Sequence, residues 1–109
     1  MQRAVNQPVS ELTLFAGIFL KTWAVADAGT LLPQHAHAYD HISLIVSGAV
    51  RVWRGEELVG DFVAPETIKI AAHEKHSFLT LASGVVIACI HATDAAEVAI
   101  VAEHQIVKD

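Results

Sequence analysis

A chain of 109 residues, 53% of them apolar and 17% charged, is the right size for one packed domain and too apolar to remain unfolded. Seven Lys and Arg against twelve Asp and Glu leave a net charge of −5 with no basic cluster, which argues against nucleic acid as a partner because neutralising phosphates takes grouped cations. The single cysteine, Cys89, cannot staple the fold within one chain, and its place in the apolar run 85–90 marks a buried, inert thiol of the kind found in the reducing cytoplasm.

In chain order, the first apolar stretch, residues 12–20 after Arg3, has the outline of a secretory leader ending at Ala24-Val25-Ala26. Pro8, Glu11 and Lys21 break that pattern, and the stretch is too short to span a bilayer, so it is read as part of the fold and no membrane is expected as a partner. Strand-like runs then succeed one another at 11–16, 18–26, 41–47, 49–54, 57–59, 67–71, 76–82 and 85–92, most of them rich in Val, Ile, Thr, Leu or Phe. Between them fall Gly17, Asp27-Ala28-Gly29, Ser47-Gly48, Arg54-Gly55-Glu56, Gly60-Asp61, Ala64-Pro65-Glu66 and Ser83-Gly84, all suited to tight turns. Short strands at nearly regular intervals predict an all-β sandwich or barrel rather than βαβ units. The domain covers residues 1–109, with a barrel core over about 9–92 and an extension from 93. In that extension Thr93-Asp94 and the helix formers after it predict a short helix over 95–103, with a strand over 97–106 as the alternative.

Within the run 41–47, alternation sets Ile42, Leu44 and Val46 on one face and His41, Ser43 and Ile45 on the other. If His41 points inward, the first three form an apolar outer surface that needs covering, which predicts a homodimer by sheet contact or strand exchange.

The chemistry lies in the histidines. Five of the seven, His35, His37, His41, His73 and His76, fall within residues 35–76. His35 and His37 are two apart on an extended segment, so both rings share a face, and His41 keeps the same parity if the strand continues. Imidazole suits divalent transition metals, and neutral nitrogen donors avoid burying several carboxylates together. One strand cannot wrap around an ion, so a further donor has to come from another strand, and His76, opening the run 76–82, is the candidate. The plain alternative is a set of surface histidines at a polar strand start. His73 reads as a turn residue, because His tolerates positive φ. His91 and His104 carry no assigned chemistry. No serine sits in a nucleophile elbow and no glycine-rich phosphate loop is present.

The spacing Gly29, five residues, His35-Ala36-His37, three residues, His41, six residues, Gly48 resembles the first motif of the cupin family, G-x5-H-x-H-x3/4-E-x6-G, with His41 in place of the Glu. The second motif, G-x5-P-x-G-x2-H-x3-N, is matched only by His76; Pro65, Ala71, His73 and Thr80 stand at its other fixed positions. The resemblance implies a small antiparallel jelly-roll barrel, a double-stranded β-helix, with one divalent ion (Fe, Mn, Ni, Cu or Zn) held inside by His35, His37, His41 and His76. Four neutral imidazoles leave such an ion at formal +2, where a family carboxylate would leave +1, so the site favours an anionic small-molecule ligand such as an enolate, enediolate or carboxylate. Losing the ligating carboxylate also removes a possible base; Tyr39, Asp40, His73 and Glu74 are the polar residues nearest the ligands in sequence. Phe78, Tyr39 and Trp53 are the candidate substrate contacts, Phe78 because it shares the face of His76, although strand aromatics more often belong to a core. The function implied is a metal-dependent enzyme acting on a small oxygen-containing metabolite, with dioxygenase, isomerase and lyase chemistry all represented in the family. The alternative is a non-catalytic module that binds or senses a small molecule or metal.

Overall fold

A computed structural model of the protein describes residues 8–93, for Gln34 and His35 the backbone alone, and every regular element among them is a β-strand. The chain opens with a hairpin of β1 (Val9–Phe15) and β2 (Ile18–Val25), closed by Ala16 and Gly17. Both turn residues have positive φ, 53° and 75°, the backbone that lets a two-residue turn follow the right-handed twist of its strands. There follow β3 (Leu31–His35), β4 (His41–Ser47), β5 (Ala49–Arg54), β6 (Glu57–Val63), β7 (Glu66–Ile70), β8 (His76–Thr80) and β9 (Val85–Ala92).

The strands form two antiparallel sheets, ordered β1-β2-β9-β4-β7 and β3-β8-β5-β6. Between them lies a core of Val25, Leu32, Ile45, Val50, Val52, Ile68, Ile70, Phe78, Val85 and Ile87. Burying each such side chain is worth about 1.5–3 kcal/mol, so the stacked inner faces fix which side of every strand turns inward. The chain passes from one sheet to the other at Ser47-Gly48, where φ of Gly48 is +84° and an added Cβ would stand 2.6 Å from Val85 Cγ2. A glycine is required there on both counts.

The expected strands at 41–47, 49–54 and 85–92 agree to the residue with β4, β5 and β9. Two expectations are corrected. Gly60-Asp61 is no turn: β6 runs through it, and the break shows as a register shift against β5 at Val52 and Trp53, where a bulge absorbs an extra residue. The strand bearing His35 does not continue to His41; it stops at His35, and His41 opens a strand of the other sheet. The alternation within β4 holds, with His41, Ser43 and Ile45 buried and Ile42 and Val46 exposed. The helix expected over 95–103 lies outside the described residues. Among those that are described, no helix is long and apolar enough to cross a membrane.

Candidate functional site

At one end of the sandwich β3 stops, β4 starts and β8 starts, and each of these termini carries a histidine. His35 is the register partner of His76 across β3 and β8, so their backbones lie side by side. His37 sits on the connection 36–40 that carries the chain from one sheet to the other. This connection is tied to the β7–β8 loop: the His73 N–H donates to the His37 carbonyl at 2.6 Å, and the Ala72 N–H donates to Asp40 Oδ1 at 2.7 Å. Glu74 accepts from the Ala71 N–H at 3.3 Å and pairs with Arg54 Nε at 2.9 Å. Asp40 and Glu74 therefore brace the loops. His73, with φ of 64°, is the turn residue its sequence position predicted.

The braced loops and strand ends bring three imidazoles together. Ring centroids are 5.6 Å apart for His37 and His41, 5.3 Å for His41 and His76, and 6.3 Å for His37 and His76. Rings whose nitrogens lie about 2.1 Å from a shared ion have centroids roughly 4.5–6.4 Å apart, and each of these pairs falls in that range, His37 and His76 at its upper end. As the side chains stand, no group of three His, Cys, Asp or Glu among the described residues is arranged to hold an ion. An imidazole turns about χ2, a soft torsion that swings its nitrogens without moving the centroid far, so ring separation alone does not set where the donors point. For His76 that rotation is set. Its Nδ1 lies 3.0 Å from the Glu74 carbonyl, which can only accept, so Nδ1 carries a proton and the buried Nε2 is the nitrogen left for an ion. A backbone carbonyl on the far nitrogen is the usual way a metal-binding imidazole is oriented.

Tyr39 lies over these rings, stacked on His37 at 5.0 Å and 6.2 Å from His41. Its other neighbour is His91, at 3.9 Å, which in turn stacks on Phe19 at 4.3 Å. His91 Nδ1 donates to the Ala92 carbonyl at 3.0 Å, leaving a buried Nε2 acceptor with no hydrogen-bond partner among the described residues. Sequence reasoning gave His91 no role. The only signal was its parity with Ile87 and Cys89, and using it required knowing that β9 pairs with β2.

The other candidates divide. Phe78 packs in the core with its ring 5.8 Å from that of His76, forming the floor beneath it. Trp53 pairs with Ser77 and alternates out of step with the buried Val50 and Val52, so the register sets it on the opposite face of its sheet from His76. Thr80, where the motif has Asn, is buried and stitches the 27–30 turn to β8: its hydroxyl accepts from the Thr30 N–H at 2.9 Å and donates to the Asp27 carbonyl at 2.8 Å. Burial pushes the Cys89 thiol up, opposed by the Ser43 hydroxyl at 3.5 Å and by the charge of Lys21, consistent with an inert thiol.

No protein-family profile matches the sequence, and no curated protein matches it. Solved structures do. One similar structure is a cupin superfamily protein from Desulfitobacterium hafniense, with a TM-score of 0.70 at 17% identity over 86% of this chain and 84% of that one. KdgF from Halomonas sp. gives 0.70 at 16% identity, covering 86% and 87%. An RmlC-like cupin family protein with a double-stranded β-helix fold, from Methanocaldococcus jannaschii, gives 0.67 at 12% identity, covering 85% and 86%. At these identities the likeness is one of fold.

Proposed function

From a chain that has the cupin fold, a double-stranded β-helix, we propose a metal-dependent enzyme that acts on a small oxygen-containing metabolite, with dioxygenase chemistry as the first reaction class to test. His35, His37, His41 and His76 would hold one divalent ion of the Fe, Mn, Ni, Cu or Zn type. The observation that carries this reading is the gathering of three imidazoles from a loop and two sheets, with His76 Nε2 fixed toward the interior by the bond from Nδ1–H to Glu74. When bound, such an ion supplies Lewis acidity and, if redox-active, electron transfer to an oxygen substrate.

The chain's own residues supply the surroundings. Phe78 closes the site from below, and Tyr39, backed by His91 and Phe19, walls it on one side, so a ligand entering there sheds water. His91 Nε2 is placed to accept a hydrogen bond on that wall. The apolar outer face of β2, β9 and β4 supports a homodimer as the working form.

The test is to load metal-free protein with Fe(II), Mn(II), Ni(II), Cu(II) and Zn(II) in turn, measure stoichiometry, and follow oxygen uptake and substrate loss with diketones, catechols, flavonols and hydroxy acids. One equivalent of metal and turnover with one substrate class is the expected result. Tight binding without turnover under every metal would replace the enzyme by a sensing module, and failure to take up any ion would overturn the metal reading altogether.

A further inference from the structure

Side chains on the outer face of the five-stranded sheet stand in rungs, alternating along each strand with those that enter the core. Thr13, Leu20, Ile90, Ile42 and Lys69 form one rung from β1 to β7, and Glu11, Thr22, Ala88, Leu44 and Thr67 form the next. Phe15, Ile18 and Ala92 lie beyond the first rung, and Val9, Ala24 and Val86 beyond the second. The middle of the face is apolar, with Ile18 and Ile42 exposed on it. The described residues of these strands set only two charges on this face, and the two stand at its opposite margins: Glu11 on β1 and Lys69 on β7, both exposed. Neither has an ion-pair partner among the described residues.

Two such sheets stacked with aligned strands are related by a two-fold axis that runs either across the strands or along them. An axis across the strands sets each strand over its own copy, so that Glu11 approaches Glu11 of the partner subunit and Lys69 approaches Lys69 of the partner subunit, and both pairs repel. An axis along the strands, over the central β9, sets β1 over the partner's β7 and the apolar β2 over the partner's β4. Resting on the reading of this face as a dimer contact, we propose that two copies stack through the larger sheet about an axis parallel to the strands, with Glu11 of each subunit paired to Lys69 of the other. Stacked sheets lie about 10 Å apart, and the two residues are offset by one rung, about 7 Å, a gap that extended Glu and Lys side chains bridge together. Pairs at an exposed margin add little affinity; their effect is to exclude the arrangement in which like charges meet.

The experiment uses the full chain. Unlabelled and 15N-labelled wild type are mixed and treated with a carbodiimide, which joins a carboxylate to a neighbouring amine as an amide with loss of one water. Within one chain Glu11 and Lys69 lie four strand spacings, about 19 Å, apart, so a cross-link between them forms only across subunits. Mass spectrometry is expected to find it in peptides that carry one label of each kind. Glu11→Lys and Lys69→Glu should each weaken the dimer at least about tenfold in sedimentation, less so at high salt, and an equimolar mixture of the two should dimerise again. Single variants that dimerise as tightly as the wild type, preferential pairing of wild type with Glu11→Lys, or a wild-type dimer without the mixed-label cross-link would overturn this arrangement and leave the apolar contact standing. The cross-link serves even if a variant does not fold. A wild-type monomer would sink the dimer reading itself and this arrangement with it.

Discussion

His76 takes its orientation from a residue two places earlier: the Glu74 carbonyl accepts from Nδ1–H at 3.0 Å, Nε2 is buried, and the His41 and His37 rings lie 5.3 and 6.3 Å away between centroids. Thr80, four residues on along the same strand, is buried equally well but spends its hydroxyl on the 27–30 turn. The two should therefore separate cleanly. His76→Ala is expected to weaken metal binding at least about tenfold in a Co(II) titration. Thr80→Val should leave metal stoichiometry intact and cost about 2 kcal/mol in urea unfolding, because the Thr30 N–H loses its acceptor inside the protein.

A third residue-scale expectation concerns pH. Arg51 donates two hydrogen bonds to Asp61, from Nε at 2.7 Å and from an Nη at 3.0 Å, and holds its carboxyl below the ordinary range. A carboxyl lowered in the folded state contributes stability above its unfolded pKa and loses it as pH falls through the lower, folded value. Arg51→Met should raise the Asp61 pKa in an NMR titration, and the stability gap between variant and wild type should close on acidification. The pair is exposed, so high salt should shrink the same gap at neutral pH.

At the scale of elements, the connections carry the most information. Ala16 stands at φ 53° in the β1–β2 turn, where an L-residue with a Cβ is strained and Asn is better tolerated. Ala16→Asn is expected to gain about 0.5–1 kcal/mol, seen as a rise in thermal midpoint of about 4 °C. Gly48 is the opposite case: an added methyl meets Val85 and the φ is wrong for it. Gly48→Ala should lose about 3 kcal/mol and, since the chain changes sheet there, unfold at lower urea without a change in slope. The loops 36–40 and 71–75 form a third such unit, joined through His73 to His37 and Ala72 to Asp40, and their mutual bracing is what sets His37 opposite β4 and β8.

For the whole molecule, the outer face of the larger sheet is the feature left to explain. Ile18, Ile42 and Val46 are exposed there, with Leu20, Leu44, Val86 and Ile90 partly exposed beside them. An apolar surface this continuous is expected to close on a second copy. Light scattering should give a dimer for the wild type, and Ile42→Glu with Val46→Glu should give a monomer that keeps its β-sheet circular dichroism; a wild-type monomer would count against the contact.

Strand rhythm was legible in the sequence because period-two burial is a local property: β4, β5 and β9 follow from alternation and from the turn residues that bound them. The histidine spacing and the inward face of β4 were legible for the same reason. What only the tertiary structure decided is which distant strands become neighbours. Pairing of β2 with β9 set His91 against Phe19 and Lys21 beside Cys89, and the change of sheet after His35 put His41 across from His76 rather than along the same strand. Local pattern fixes which face a side chain takes, but its companions on that face depend on how two sheets stack, and that is settled by burial summed over the whole core.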